Sequence, residues 1–194
     1  MKKIFKILAI IFGVLIISIF IFRTEKVQHI VFGISSLQYA VSQEDVDRVR
    51  SLIKQGAEVN AKDKVGETAI YDAASTTNVE ILNILIDHGA NINEKGRDGN
   101  TPLHYAAFWG NTDTALRLIE AGADINVQNR YGETPLYAAL DMFNDETAVK
   151  LIDAGADINI KDKEGKGPAD LIDGLEDNKE LIEKLRTSDN DNNN

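Results

Sequence analysis

The chain contains 194 residues, carries a formal net charge of −10 and has no cysteine. Without cysteine, it can form neither a disulfide bond nor a lipid anchor on a thiol, and its three histidines are not spaced as metal ligands. The negative charge disfavours nucleic acid, anionic lipid and acidic substrates as partners, because no basic stripe is present to contact phosphates. A basic protein would be attracted, although the acidity could also serve solubility alone.

The first element in chain order is an apolar run over residues 7–22, preceded by Lys2, Lys3 and Lys6. We expect a transmembrane signal anchor over residues 4–22, with residues 1–6 in the cytoplasm, since basic residues stay on the cytoplasmic side of a span. A signal peptidase needs small residues close behind the apolar run, but large ones stand there. An uncleaved anchor is therefore favoured over a cleaved signal peptide.

The brevity and simplicity of this N-terminus suggest a bacterial protein, for which we expect a single-pass inner-membrane protein whose following domain lies in the periplasm. The alternative is a soluble periplasmic protein after signal cleavage. Residues 23–34 continue with apolar side chains at helical spacing, which predicts a juxtamembrane helix or linker that covers the first unit of the domain.

A fixed period of 33 residues then organises the chain from residue 33 onward. Glycine-alanine doublets, single asparagines and all three prolines each keep one position in this period. A period of this length is typical of stacked units, each too small to bury its apolar face alone. The doublets are Gly56/Ala57, Gly89/Ala90, Gly122/Ala123 and Gly155/Ala156, and the asparagines are Asn60, Asn93, Asn126 and Asn159.

One unit, residues 97–128, predicts a turn followed by two helices. Thr101 can cap the first helix and Pro102 suits its first position, where no backbone donor is needed. Asp113 stands in the first turn of the second helix, where its charge is favourable against the helix dipole, and Gly122 can end that helix in the left-handed conformation. The apolar residues of both helices recur at spacings of three and four, which indicates core packing.

The segments GNTPLHYAAFWGN (99–111) and ALRLIEAGADIN (115–126) resemble the ankyrin repeat. The resemblance implies an all-α solenoid of about five helix-turn-helix repeats with short hairpin-like turns, preceded here by the transmembrane helix. The chain departs from the family pattern at Ala69, Ser35-Ser36, Gly167, Thr77 and Phe143. The predicted ankyrin-repeat domain covers 35–186, with repeats at about 33–62, 63–95, 96–128, 129–161 and 162–186, and a disordered tail at 187–194.

The same resemblance places turn tips and the ends of the first helices along a concave groove that binds other proteins. Aromatic residues, methionine and arginine are typical of interface cores, and they cluster at groove positions of adjacent repeats. In the alternative interpretation, the tryptophan packs on Phe143 or Tyr105 and only fills space. The predicted partner-binding residues are Phe108, Trp109, Met142, Tyr131, Arg130, Arg97, Asp98 and Asp141.

No catalytic site is predicted, because the chain contains no nucleophile elbow, phosphate-binding loop or dinucleotide motif. The resemblance implies that His104 braces a turn. We therefore expect no cofactor, no metal, no nucleic acid and no small-molecule substrate, and two kinds of partner: the membrane, through the N-terminal helix, and a protein that could be basic.

The sequence thus predicts a non-catalytic protein-protein interaction module. Two alternatives stay open at this point. The first is an immunity-type inhibitor that neutralises a toxin arriving in the envelope, and the second is an accessory factor for an envelope stress or redox enzyme.

Overall fold

The computed structural model describes residues 33–168, 170–171, 179 and 181–183. The predicted signal anchor over 4–22, nearly all of the segment 23–34 and the tail at 187–194 lie outside these residues. Within the part that is described, no helix is both long and apolar enough to cross a membrane.

Eight α-helices lie between residues 36 and 153, in four pairs that follow the predicted period. The first helices of the pairs are short, and the second helices are nine residues long. In chain order they are α1 (Ser36–Ser42), α2 (Val46–Lys54), α3 (Ala69–Ala74), α4 (Val79–Asp87), α5 (Pro102–Phe108), α6 (Thr112–Glu120), α7 (Pro135–Asp141) and α8 (Asp145–Asp153).

Side-chain caps are present at the start of α1 and α7, whereas Thr68 forms none at the start of α3. Ser35 and Gln38 form a reciprocal capping box at the start of α1, and the Thr134 hydroxyl accepts the Tyr137 N–H at the start of α7. Pro102 and Pro135 occupy the first position of their helices, where the ring removes no intrahelical hydrogen bond.

The helices form two layers, and each helix packs on its own pair and on its equivalents in neighbouring repeats. α1, α3, α5 and α7 follow one another in one layer, and α2, α4, α6 and α8 in the other. The leucines that the stripes predict as core, among them Leu103, Leu118 and Leu151, are buried between the layers. This arrangement confirms an all-helical repeat architecture in the described residues, in which each unit is stabilised by its neighbours.

The periodic asparagines lie in the segments that connect one helix pair to the next, and they join consecutive repeats. The Asn60 amide donates to the Gly89 carbonyl at 2.9 Å, and the Asn93 amide donates to the Gly122 carbonyl at 3.0 Å. Asn93 also accepts the Asp124 N–H at 2.9 Å, so one side chain bonds two backbone groups of the next unit. The recurrence of asparagine at this position therefore has a structural cause.

The connection between the two helices contains a left-handed residue in three of the four described pairs, whereas Thr77 at the equivalent position of the second pair has no positive φ. Gly110 adopts a φ of 70° there, and Phe143 adopts 57° at the equivalent position of the next repeat. A side chain in this conformation is strained, and glycine is not. The strain at Phe143 is not offset by burial, because its ring is 68% exposed.

Replacing Phe143 by glycine is expected to raise the free energy of unfolding by about 0.5–1 kcal/mol, because the relief of backbone strain outweighs the added conformational freedom of the unfolded chain. Urea unfolding of the two proteins measures the difference. Gly110→Ala is the matched control and should destabilise, since a Cβ at Gly110 would lie 2.6 Å from Asn144 Oδ1. A loss of stability in Phe143→Gly would show that the exposed ring contributes packing.

Candidate functional site

A pocket of about 280 Å³ opens on the face formed by the turns and the ends of the first helices. Four of its lining residues are aromatic and one is acidic. The lining residues are Asn100, His104, Tyr105, Phe108, Trp109, Asn129, Tyr131, Glu133 and Ala138.

Helix α5 supplies one wall of the pocket. Tyr105, Phe108 and Trp109 are spaced three and four residues apart, so that they share one face at the C-terminal end of the helix. The rings of Phe108 and Trp109 meet edge to face, with centroids 5.2 Å apart. Trp109 remains 59% exposed, so the aromatic contact with Phe108 leaves most of its surface available.

The opposite wall comes from the turn at residues 129–133. The Asn129 Oδ1 accepts the backbone N–H groups of Tyr131 at 2.9 Å and Glu133 at 3.1 Å. Its Nδ2 donates to the Glu133 carboxylate at 2.8 Å. One asparagine thus fixes both the backbone that presents Tyr131 and the position of the acidic group.

The floor of the pocket depends on the small side chain of Ala138. In the 33-residue register this position is Tyr39, Asp72, Tyr105 and Ala138 in successive repeats. Because the repeat after Tyr105 has an alanine at this register position, there is space beside the Tyr105 ring that a larger side chain would fill. The pocket is therefore specific to the boundary between the third and fourth helix pairs.

His104 is structural, as the sequence predicts. The Thr101 N–H donates to its Nδ1 at 3.1 Å, which leaves the proton on Nε2, and Nε2 donates to the Glu133 carbonyl at 3.1 Å. Burial lowers the pKa of His104 to about 4, so the ring is neutral at physiological pH. It braces the turn that holds Tyr131 and Glu133.

Arg130 and Asp98 join two neighbouring turns above the pocket. The Arg130 guanidinium lies 2.6 Å from the Asp98 carboxylate, and its carbon lies 4.7 Å from the centroid of the Tyr131 ring. The Arg130 N–H also donates to the Asp98 carbonyl at 2.8 Å. These two predicted site residues are thus paired with each other.

Acidic groups continue from the pocket toward the preceding repeat. The Tyr105 hydroxyl donates to the Glu67 carboxylate. Burial raises the pKa of Glu67, despite this bond, and raises the pKa of Asp72 to about 7, with further contributions from the charges of Glu67 and Asp63. This part of the surface therefore resists additional negative charge.

The predicted site residues divide into two groups. Phe108, Trp109 and Tyr131 are brought together in the pocket, whereas Met142 and Asp141 lie exposed at the end of α7 outside its lining. Arg97, Asp98 and Arg130 also lie outside the lining. The sequence interpretation missed six lining residues: Asn100, His104, Tyr105, Asn129, Glu133 and Ala138.

The tryptophan does not make the aromatic contacts of the space-filling alternative. Its aromatic pairing in the described residues is with Phe108, and Tyr105 pairs with Tyr71 at a centroid distance of 5.4 Å. No group of three or more His, Asp or Glu side chains in this part of the chain is arranged to hold a metal ion.

Comparison with known proteins agrees with this architecture. The family model described as Ankyrin repeats (3 copies) matches residues 37–129 and 97–162, which together are more than half of the chain. No curated protein matches the chain. The repeats, their turns and the groove that they form are those of a protein-protein interaction module, and the chain belongs to the ankyrin-repeat family.

Proposed function

We propose that this protein is a non-catalytic binding module that holds another protein in the groove around the Tyr105–Tyr131 pocket, and that it does so on the periplasmic face of the inner membrane. The observation that carries the proposal is the pocket itself. Three large aromatic side chains, Phe108, Trp109 and Tyr131, are substantially exposed together in the lining of this one pocket. Aromatic side chains in this position are typical of the residues that dominate binding energy.

The membrane part of the proposal rests on the sequence of residues 4–22. Its apolar length and the lysines before it support an anchor with the repeats on the outer side. Protease added to intact spheroplasts should then digest the repeat domain. If digestion requires lysis, the repeats face the cytoplasm and this placement is wrong.

Replacing Trp109 by alanine is expected to weaken partner binding about tenfold, because it removes the most exposed aromatic surface of the pocket. Met142→Lys should also reduce binding if the interface extends along the end of α7. The measurement is co-purification from detergent extract, quantified against the unaltered chain. Loss of capture by Trp109→Ala is the expected result.

Phe143→Ala is the matched control, since it removes an exposed aromatic residue outside the pocket. It should weaken capture much less than Trp109→Ala does. The thermal midpoint of Trp109→Ala should move little, because the ring is largely in solvent. A large fall in the midpoint would instead identify Trp109 as a packing residue and contradict its role in binding.

The immunity-type alternative uses the same surface and is favoured by the excess negative charge, which would attract a basic toxin. An immunity-type inhibitor differs from a general adaptor in its binding affinity and in the genes that lie beside its own gene. A toxin gene next to this gene and nanomolar or tighter affinity for its product would support the inhibitor. An accessory role for an envelope stress or redox enzyme would instead tie the deletion phenotype to the activity of that enzyme.

A further inference from the structure

We propose that the pocket receives a lysine or arginine side chain of the bound protein, held between the aromatic rings and the Glu133 carboxylate. The inference rests on the proposed function and adds the chemistry that the partner must present. It follows from the size, the lining and the charge of the pocket.

The size of the pocket fits one side chain. Its volume of about 280 Å³ lies just below the range for small-molecule sites, which runs from about 300 to 1,000 Å³. Its position on the groove face leaves it open to a chain lying across the repeats. A single long side chain can enter, while the backbone of the partner remains in the groove.

The lining combines aromatic rings with an acidic group. Tyr105, Phe108, Trp109 and Tyr131 present π systems, whose faces attract cations, and Glu133 supplies a full negative charge. Within the described residues, Glu133 forms no ion pair; its carboxylate accepts a bond from the neutral Asn129 amide. Its charge is thus not neutralised by a cation of these residues.

A contact between a cation and an aromatic ring already exists at the edge of this pocket, within the chain itself. The Arg130 guanidinium lies over the Tyr131 ring at 4.7 Å while paired to Asp98. Arg130 is therefore paired with a carboxylate outside the pocket lining and forms no ion pair with Glu133. Beyond Tyr105, the Glu67 carboxylate adds a second negative charge on the same side.

Trp109 provides a direct signal for binding, because it is the only tryptophan of the chain. The probes are capped peptides of the form Gly-Gly-X-Gly-Gly, with X as lysine, arginine, norleucine or glutamate, added to the full chain in neutral detergent. Lysine and arginine peptides should change the Trp109 fluorescence in a saturable manner. Norleucine has nearly the length of lysine without its charge and should bind about 3- to 30-fold more weakly.

Two substitutions in the pocket and one control outside it test the proposal without disturbing the fold. Glu133→Gln keeps the shape and the Asn129 contact but removes the charge, and it should weaken the lysine peptide about 3- to 10-fold. Glu120→Gln removes the same charge from a side chain that is 71% exposed on α6 and should have no effect. Ala138→Leu fills the floor of the pocket and should abolish the response to every peptide.

Equal binding of norleucine and lysine, or equal losses in Glu133→Gln and Glu120→Gln, would overturn the cation assignment. So would tighter binding of free choline than of the lysine peptide, which would assign the pocket to a lipid headgroup. Failure of the proposed function is recognised separately, because partner capture would then survive both Trp109→Ala and Ala138→Leu. Capture that is lost in these variants while no peptide binds would reject the cation site and leave the binding groove in place.

Discussion

Replacing His104 by alanine is expected to lower the free energy of unfolding by about 3 kcal/mol, the largest effect that we predict for a polar residue of this chain. The substitution leaves a cavity under the turn, removes the partner of the buried Thr101 N–H, and removes one of the two donors to the Glu133 carbonyl, which keeps the Asn129 N–H. Urea unfolding at pH 7.5 measures the loss. Pocket binding should weaken as well, since His104 holds the turn that carries Glu133.

Two control substitutions test whether the stability depends on the hydrogen bonds of His104 or on its imidazole ring. Gln38 occupies the equivalent position in the first repeat, where its Oε1 accepts the Ser35 N–H at 2.9 Å and its Nε2 donates to the Glu67 carbonyl at 3.1 Å. His104→Gln should therefore retain most of the stability. His88→Ala, at an exposed helix end, should cost less than about 1 kcal/mol. A small loss in His104→Ala would show that the turn is held by other contacts.

The stability that His104 contributes should also depend on pH. The folded protein keeps the ring neutral down to a pKa of about 4, whereas the unfolded chain takes up a proton near pH 6.5. As pH falls from about 6.5 to 4, the unfolded state therefore binds a proton that the folded state does not, and stability is lost. The difference between the unaltered protein and His104→Ala should accordingly be smaller at pH 5 than at pH 7.5.

Replacing Asp72 by asparagine is expected to stabilise the protein by about 2 kcal/mol at pH 8. The pKa of Asp72 is raised to about 7 in the folded protein, first by burial and then by the charges of Glu67 and Asp63. A raised carboxyl pKa contributes stability that is full below the unfolded value near 4 and is lost as pH rises through 7. The full linkage is about 4 kcal/mol, and we halve it because the side chain is only partly buried.

At pH 5, the Asp72→Asn substitution should raise the free energy of unfolding by less than about 1 kcal/mol. In the folded protein Asp72 is then mostly protonated, and little energy is needed to keep it so. Asp87→Asn removes one charge from an exposed position of α4 and should change stability by less than about 0.5 kcal/mol at either pH. Chemical unfolding at both pH values provides the test. A gain that does not change with pH would contradict the elevated pKa.

The helices and their order could be predicted from the sequence because they depend on local signals that recur. Thr101, Pro102 and Gly122 each mark a helix boundary, and the 33-residue period fixes the partner of every apolar stripe. The first helices are shorter than their apolar pattern indicates. α5 ends at Phe108, and Trp109 lies at its C-cap.

The pocket was only partly predictable. Phe108, Trp109 and Tyr131 stand out as exposed apolar residues at groove positions, so composition identifies them. Ala138 contributes by being small, and that is visible only when it is compared with Tyr105 at the same register position. A comparison of side-chain volumes from repeat to repeat would have indicated the space.

Glu133 was missed because its role depends on the turn. Its side chain is held by Asn129, which stands where the neighbouring turns have Asp63, Gly96 and Asp162. An asparagine can donate to a carboxylate, and an aspartate or glycine cannot. Asn129 therefore fixes the position of the Glu133 carboxylate through a bond that the period alone does not reveal.

Gly96 limits how these repeats can be recombined. A Cβ there would lie 3.0 Å from the Tyr71 ring and 2.9 Å from the Glu67 side chain, so the tyrosine of one module requires the bare backbone of the next. With that room, the Tyr71 hydroxyl reaches the carbonyl oxygens of Glu94 and Asn100. A shuffled cassette cut between residues 95 and 96 would separate the two halves of this arrangement, so transplanted modules should carry position 96 together with the tyrosine.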